Sequence, residues 1–419
     1  IDCPERIPEI VAKALNITMS GRPGPVVISL PEDVLFESSE TANGAPVRIV
    51  QAAPEPGAMN ELQALLDGAQ KPLVVIGGTG WDASASAAFK RFIVANDLPV
   101  AASFRRQDLF DNRDEHYAGQ LGLGVSPKLA QRVREADLLL VIGSRLAETT
   151  SSGYTLLEVP TPRQTLVHVH PDPQELGRVY QAHLPINAGM RAFAAALDTL
   201  DASLRKPWQA WTAMARADYV AHSTPPAVSA EIDGVDMARV VAHLNDVLPD
   251  DAVIANGAGN YTVWVHRYFR YRQPATELAP TNGAMGYGFP AAIAAKLYKP
   301  ERLVICFAGD GCFMMYPQEL ATAMQFGAAL VVIVVNNGML GTIRMHQERD
   351  YPGRVCATQL ANPDFIALAK SFGVHAERVE RTEDFAAAFE RAQKAGVAAL
   401  IELKVDPLQI TPANRLTAT

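Results

Sequence analysis

Two stretches of the chain alternate short apolar runs with amphipathic helical patterns, and this rhythm restricts the fold more than any other feature. In the first stretch, helices expected over 59–66, 83–96, 127–135 and 190–200 are interleaved with strands over 73–76, 100–102, 138–142 and 165–169. After a polar segment carrying Pro207, Trp208, Trp211, Pro225 and Pro226, the rhythm restarts. Here helices over 236–247, 260–268, 290–297, 317–326, 361–372 and 383–394 accompany strands over 252–255, 303–307, 330–335 and 398–405. Apolar strands too short and too uniform to alternate, joined by helical crossovers, build parallel sheets covered on both faces. The expected fold class is therefore α/β, with successive doubly wound parallel-sheet domains.

The 419 residues accommodate two to three such domains. The opening piece, a helix over 8–19, a Gly/Pro turn at 21–25 and an apolar strand over 26–30, reads as the closing part of a domain at 1–37. An aperiodic stretch rich in Ala, Pro, Glu and Gly at 38–57 reads as a linker. A central α/β domain is expected over 58–205, a second linker over 206–230 and a last domain over 231–419.

Composition excludes several functions. At a net charge of -8 the chain lacks the basic excess that tracks a phosphate backbone, so nucleic acid is not an expected partner. The longest apolar runs, 330–335 and 138–142, fall far short of the roughly 20 residues that span a bilayer, so no membrane partner is expected. Cys3, Cys306, Cys312 and Cys356 show no framework spacing and suggest reduced thiols in a cytoplasmic protein. The chain starts at Ile1 without a charged-then-apolar leader, so no signal peptide is expected and the true amino terminus is expected to precede it.

Two strand ends carry the chemistry. The strand over 303–307 runs into Ala308-Gly309-Asp310-Gly311, and that over 330–335 into Asn336-Asn337-Gly338. Ligands in open α/β sheets bind outside the carboxyl ends of the strands, and 27 residues between Asp310 and Asn337 are one crossover. A carboxylate and a carboxamide are oxygen donors suited to Mg²⁺, which completes its shell with phosphate oxygens. Glycines beside them admit a ligand to the backbone, and a following helix offers its amides. Each motif alone is also an ordinary turn. Together, each after a buried strand, they point to a metal-bridged diphosphate.

The run from Gly309 to Leu320, the run from Val335 to Ile343, and Asn282-Gly-Ala-Met-Gly-Tyr-Gly-Phe-Pro290 resemble the cofactor motifs of the thiamine-diphosphate enzyme superfamily, in its acetolactate synthase-like group. That resemblance implies a thiamine-diphosphate- and Mg²⁺-dependent enzyme that decarboxylates a 2-oxo acid and joins the fragment to an acceptor. It makes Asp310, Asn337 and the backbone carbonyl of Met339 metal ligands. The implied cofactor-binding set is Asn256, Gly257, Ala258, Gly259, Asn260, Gly283, Met285, Gly309, Asp310, Gly311, Cys312, Asn337, Met339, Leu340 and Gly341. Met285 matches the large apolar residue on which the cofactor folds, with core packing as its other reading. Ala258-Gly259 stands where acetolactate synthases usually carry Gln-His, leaving backbone amides as donors; a plain helix-capping turn is equally open.

Acetolactate synthases also carry a tryptophan shortly after the Asn-Asn-Gly motif, where this chain has His346. A proton shuttle near substrate and a solvent-facing helix residue are the two readings. These features keep benzaldehyde-lyase-like and oxalyl-CoA-decarboxylase-like chemistry open as alternatives. The resemblance assigns the catalytic glutamate to the family's first domain, of which Pro8 to Val34 matches only the closing helix and strand. No base is assigned, so a non-catalytic cofactor-binding fragment is a further alternative.

In the central domain, Gly77-Gly-Thr-Gly80, Gly119-Gln-Leu-Gly122 and Arg145 partly match flavin-binding members. Bound FAD and an Arg145 paired with a local carboxylate are both open. His168 and His170 lack the third ligand of a metal site and are read as structural. The resemblance implies a homodimer or homotetramer.

Overall fold

A computed structural model describes residues 1–226 and 232–416. The chain divides into two compact units, residues 1–100 with 131–212, and residues 101–130 with 213–419. Among the described residues, twelve strands form two six-stranded sheets. The first contains β1 (Pro72–Ile76), β2 (Val100–Ala102), β3 (Tyr117–Gln120), β4 (Leu138–Ile142), β5 (Thr165–His170) and β6 (Leu184–Asn187) in the order β3-β2-β1-β4-β5-β6. The second contains β7 (Val253–Asn256), β8 (Glu277–Leu278), β9 (Val304–Gly309), β10 (Val331–Asn336), β11 (His375–Val379) and β12 (Ala399–Lys404) in the order β11-β12-β10-β9-β7-β8. The registered pairs run parallel, as an α/β doubly wound architecture requires.

The second sheet positions the site. Its central strands are buried along their length, Val-Val-Ile-Val-Val in β10 and Val-Ile-Cys-Phe-Ala in β9. Two apolar layers sandwich them, one containing Leu244, Val265, Phe385 and Phe389, the other Phe289, Phe313, Leu320 and Phe365. From β7 the chain crosses to β8 on one side and later to β9 on the other. The β7–β9 boundary is therefore a topological switch point, where connections leave in opposite directions and open a crevice at the strand ends. Aspartates cap two of the helices around this sheet. Asp236 accepts from the Ala238 amide at 2.8 Å, and Asp364 accepts from Ile366 at 2.9 Å, each satisfying amides that have no helical partner.

The expected strand over 26–30 is not formed. Those residues have no regular secondary structure and are largely exposed, with Val27 at 92 %, because no described strand offers them a ladder partner, and an isolated strand has nothing to satisfy its backbone. Within the expected linker 206–230 lies the helix Gln209–Ser223. Its entry is fixed by buried Trp208 and Trp211, whose indole N–H groups donate to the carbonyls of Asn96 (3.0 Å) and Pro72 (2.9 Å). Residues 227–230 of that stretch, and residue 231, lie outside the described residues. Among the described residues no helix is long and apolar enough to cross a membrane.

Candidate functional site

At the switch point of the second sheet lies a cavity of about 260 Å³. Of the residues singled out in the sequence, Ala258, Gly259, Asn260, Gly283, Met285, Gly309, Asp310, Gly311, Cys312, Asn337, Met339, Leu340 and Gly341 line it. Asn256, Gly257 and His346 do not. Asn256 and Gly257 stand directly behind the wall, with the Asn256 amide donating to the Gly257 carbonyl at 2.9 Å. His346 is exposed on the helix Gly341–Asp350, one turn beyond Ile343, which lines the cavity and is itself exposed.

Asp310 is the electrostatic centre. It is 2 % exposed, and burial pushes its carboxyl above the ordinary carboxylate range. One oxygen accepts from the Gly311 amide at 2.9 Å; the other accepts from the Gly338 amide at 2.9 Å and the Asn362 side chain at 2.8 Å. The Gly338 bond ties the end of β10 to the end of β9, which brings the two motifs to one point. No described Lys, Arg or His pairs with this carboxylate. A desolvated anion with lone pairs left over and no counter-charge suits a hard cation. Asn337 Oδ1 accepts from Met339 N at 3.2 Å, and the Met339 carbonyl from Gly341 N at 3.0 Å, so both candidate ligands retain a free lone pair. Among the described residues no three His, Cys, Asp or Glu gather as a metal cluster, and any cation here depends on amide and carbonyl oxygens as well as Asp310.

Several residues that complete the site were silent in the sequence. Asn362 also donates to Asn336 Oδ1 at 3.2 Å, and Asn336 donates to buried Glu402 at 2.7 Å, so a chain of polar groups fixes Asp310 from behind. The bridge between Met339 and Gln359 draws Asn362 into place. Tyr261, whose hydroxyl is kept protonated by burial, accepts from the Gly257 amide at 3.1 Å and donates to Cys312 Sγ at 3.5 Å; Cys312 Sγ also accepts from the Gly286 amide at 3.2 Å. Tyr261 and Cys312 thus lock together the three loops at 257, 286 and 312. The only advance signal for Asn362 was its place just before a helix-starting Asp364, and Tyr261 had none.

The packing at Gly288 leaves no room for a side chain. A Cβ on Gly288 would stand 2.7 Å from the backbone of Asn256 and Gly257, so the loop itself would have to move. Gly288→Ala is expected to cost about 1–3 kcal/mol and to lower Tm by several degrees in a circular-dichroism melt. An unchanged Tm would show that the loop is not held as described.

In the first unit, two of the features that partly match flavin-binding members make contacts within the protein. Arg145 lies 3.8 Å from buried Glu175, which also holds Arg22 (3.0 Å) and Arg178 (3.6 Å). A Cβ on Gly78 would meet the Gly143 carbonyl at 2.2 Å, so these glycines let two strand-end loops touch. His168 Nε2 is 2.8 Å from the Ser144 carbonyl, and His170 Nδ1 accepts from the Asp172 amide at 3.0 Å; burial holds both rings below the usual histidine range.

Comparison with known proteins agrees with this geometry. The family described as thiamine pyrophosphate enzyme, C-terminal TPP binding domain, matches residues 257–403, and the thiamine pyrophosphate enzyme central domain matches residues 59–197. The chain belongs to the thiamine pyrophosphate enzyme family. Within it, the chain is 27% identical over 408 residues to the acetolactate synthase isozyme 2 large subunit of Escherichia coli, covering 97% of this chain and 72% of that protein. It is 31% identical over 403 residues to the acetolactate synthase large subunit of Parasynechococcus marenigrum (92% and 64%). It is 28% identical over 406 residues to acetolactate synthase 1, chloroplastic, of Nicotiana tabacum (92% and 60%). The chain thus spans only part of the length of each relative. The cavity, the switch point and Asp310 all fall within or beside the matched thiamine-pyrophosphate-binding domain.

Proposed function

We propose that this chain binds thiamine diphosphate through Mg²⁺ and serves an acetolactate-synthase-like reaction, decarboxylation of a 2-oxo acid followed by carboligation. The observation that carries the reading is the buried Asp310 carboxylate at the switch point, which no described Lys, Arg or His side chain pairs with and which is joined to the Asn337 loop through Gly338. Asp310, Asn337 and the Met339 carbonyl would hold the cation. Amides of the Asp310–Phe313 turn and of the 257–260 turn would face the diphosphate, with no side-chain donor at Ala258 or Gly259. Met285, packed on the core beside the cavity, would support the rings. When bound, thiamine diphosphate supplies the electron sink that a 2-oxo acid needs to lose carbon dioxide. The protein's own contribution is orientation, exclusion of water and a fixed field around the cation.

The test is calorimetric titration with thiamine diphosphate in the presence of MgCl₂, followed by a panel of 2-oxo acids monitored for carbon dioxide and acetoin-type products. Mg²⁺-dependent binding with product formation is the expected result. Binding without turnover of any 2-oxo acid would reduce the function to cofactor binding, and absence of binding would overturn the reading altogether.

A further inference from the structure

Arg105 is a buried arginine in a strained backbone. It is 2 % exposed, yet has a left-handed φ of 57°, a strained conformation for a non-glycine residue that persists only where the surroundings impose it. Its guanidinium has no carboxylate partner among the described residues. Instead, one terminal nitrogen donates to the Gly257 carbonyl at 3.0 Å and the other to the Pro280 carbonyl. Its third nitrogen, Nε, has no protein partner.

Those two carbonyls belong to the two turns that form one side of the cavity. The Gly257 carbonyl opens the turn that carries Ala258, Gly259 and Asn260. The Pro280 carbonyl closes the turn onto the Gly283 amide at 3.0 Å, and Gly283 and Met285 follow it into the cavity wall. The segment bearing Arg105 is anchored on its far side, with the Gln107 amide donating to Glu277 at 2.6 Å and the Gln107 side chain to the His266 carbonyl at 3.1 Å. A forked, permanently charged donor held from behind by its own segment can fix the spacing of two loops as a single-point ammonium cannot. Its charge, unneutralised by a carboxylate, also stands on the protein side of the wall where an anion would bind.

We propose that Arg105 is a positioning residue for the cofactor cradle, clamping the 257–260 and 280–283 turns by their carbonyls. This rests on the cofactor reading given above. The test uses the full-length protein and compares wild type, Arg105→Lys, Arg105→Met and Asp310→Asn. The readouts are thiamine diphosphate Kd at saturating Mg²⁺, measured well below Tm, and Tm without cofactor. Arg105→Lys, which reaches one carbonyl at a time, is expected to raise Kd about tenfold or more while remaining folded, and Arg105→Met further. A merely structural role would lower Tm and leave the Kd of the folded protein unchanged. Arg105→Lys with a Kd within twofold of wild type overturns the proposal, whatever Arg105→Met does. If wild type itself shows no Mg²⁺-dependent binding, or Asp310→Asn binds as wild type does, the cofactor reading fails instead, and the two failures are thereby told apart.

Discussion

Asp310→Asn is expected to abolish Mg²⁺-dependent binding of thiamine diphosphate, a loss of at least about 100-fold in affinity, while leaving the Tm of the cofactor-free protein within a few degrees of wild type. The two halves of this result have separate causes. Asparagine keeps the shape of the side chain and one oxygen, which can still accept from Gly338 and Asn362, so the β9–β10 junction survives. It loses the acceptor for Gly311 but also removes a carboxylate that burial disfavours in its charged form, and the two changes oppose each other. What it cannot supply is the negative charge that a divalent cation requires. The measurement is thermal unfolding with and without thiamine diphosphate and MgCl₂. A ligand at 100 times its Kd adds about 2.7 kcal/mol to the stability of the protein that binds it. The wild type should show that gain and the variant should not; equal gains would remove Asp310 from the metal site.

The same residue shows what a sequence can reveal. Asp310 and Asn337 were legible because each directly follows a buried strand, and strand ends of a parallel sheet are where ligands bind. The eight strands expected in the two α/β stretches are β1, β2, β4, β5, β7, β9, β10 and β12, all interior to their sheets. The four that escaped, β3, β6, β8 and β11, are the four sheet edges. An edge strand has a neighbour on one side alone, so it is shorter and tolerates residues that break an apolar run: Gly119 in β3, Pro185 in β6, Glu377 and Arg378 in β11. The run over 26–30 made the opposite error, since it has strand composition and no partner. The site divides along the same line. Asn362, Tyr261 and Arg105 act through contacts 50 or more residues away, with Asp310, Cys312 and Gly257 respectively, and nothing local marks them.

Beside Arg105, the carboxyls of Glu277 and Asp108 set the second large expectation. Both are nearly inaccessible, at 3 % and 4 %. Glu277 accepts from the Gln107 amide through one oxygen and has no partner for the other, while Asp108 accepts from Thr276 N at 3.1 Å and Glu277 N at 3.4 Å. Burial, then the neighbouring Asp108, pushes Glu277 up to about 8, against the nearby Arg105 and Arg106; burial likewise raises Asp108. At neutral pH the pair therefore retains a proton. A carboxyl raised in the folded state binds its proton more tightly there than in the unfolded chain. Its stabilisation is complete below the ordinary value of 4.5 and is lost as pH rises to about 8. Glutamine at 277 mimics the protonated form and does not titrate. The stability of Glu277→Gln minus that of wild type should therefore increase with pH across this window, by up to about 1.4 kcal/mol per pH unit, and level off above it. Urea unfolding at pH 5, 6, 7, 8 and 9 measures the difference directly. Parallel stability profiles would mean that Glu277 is already ionised at neutral pH, with its charge compensated by Arg105.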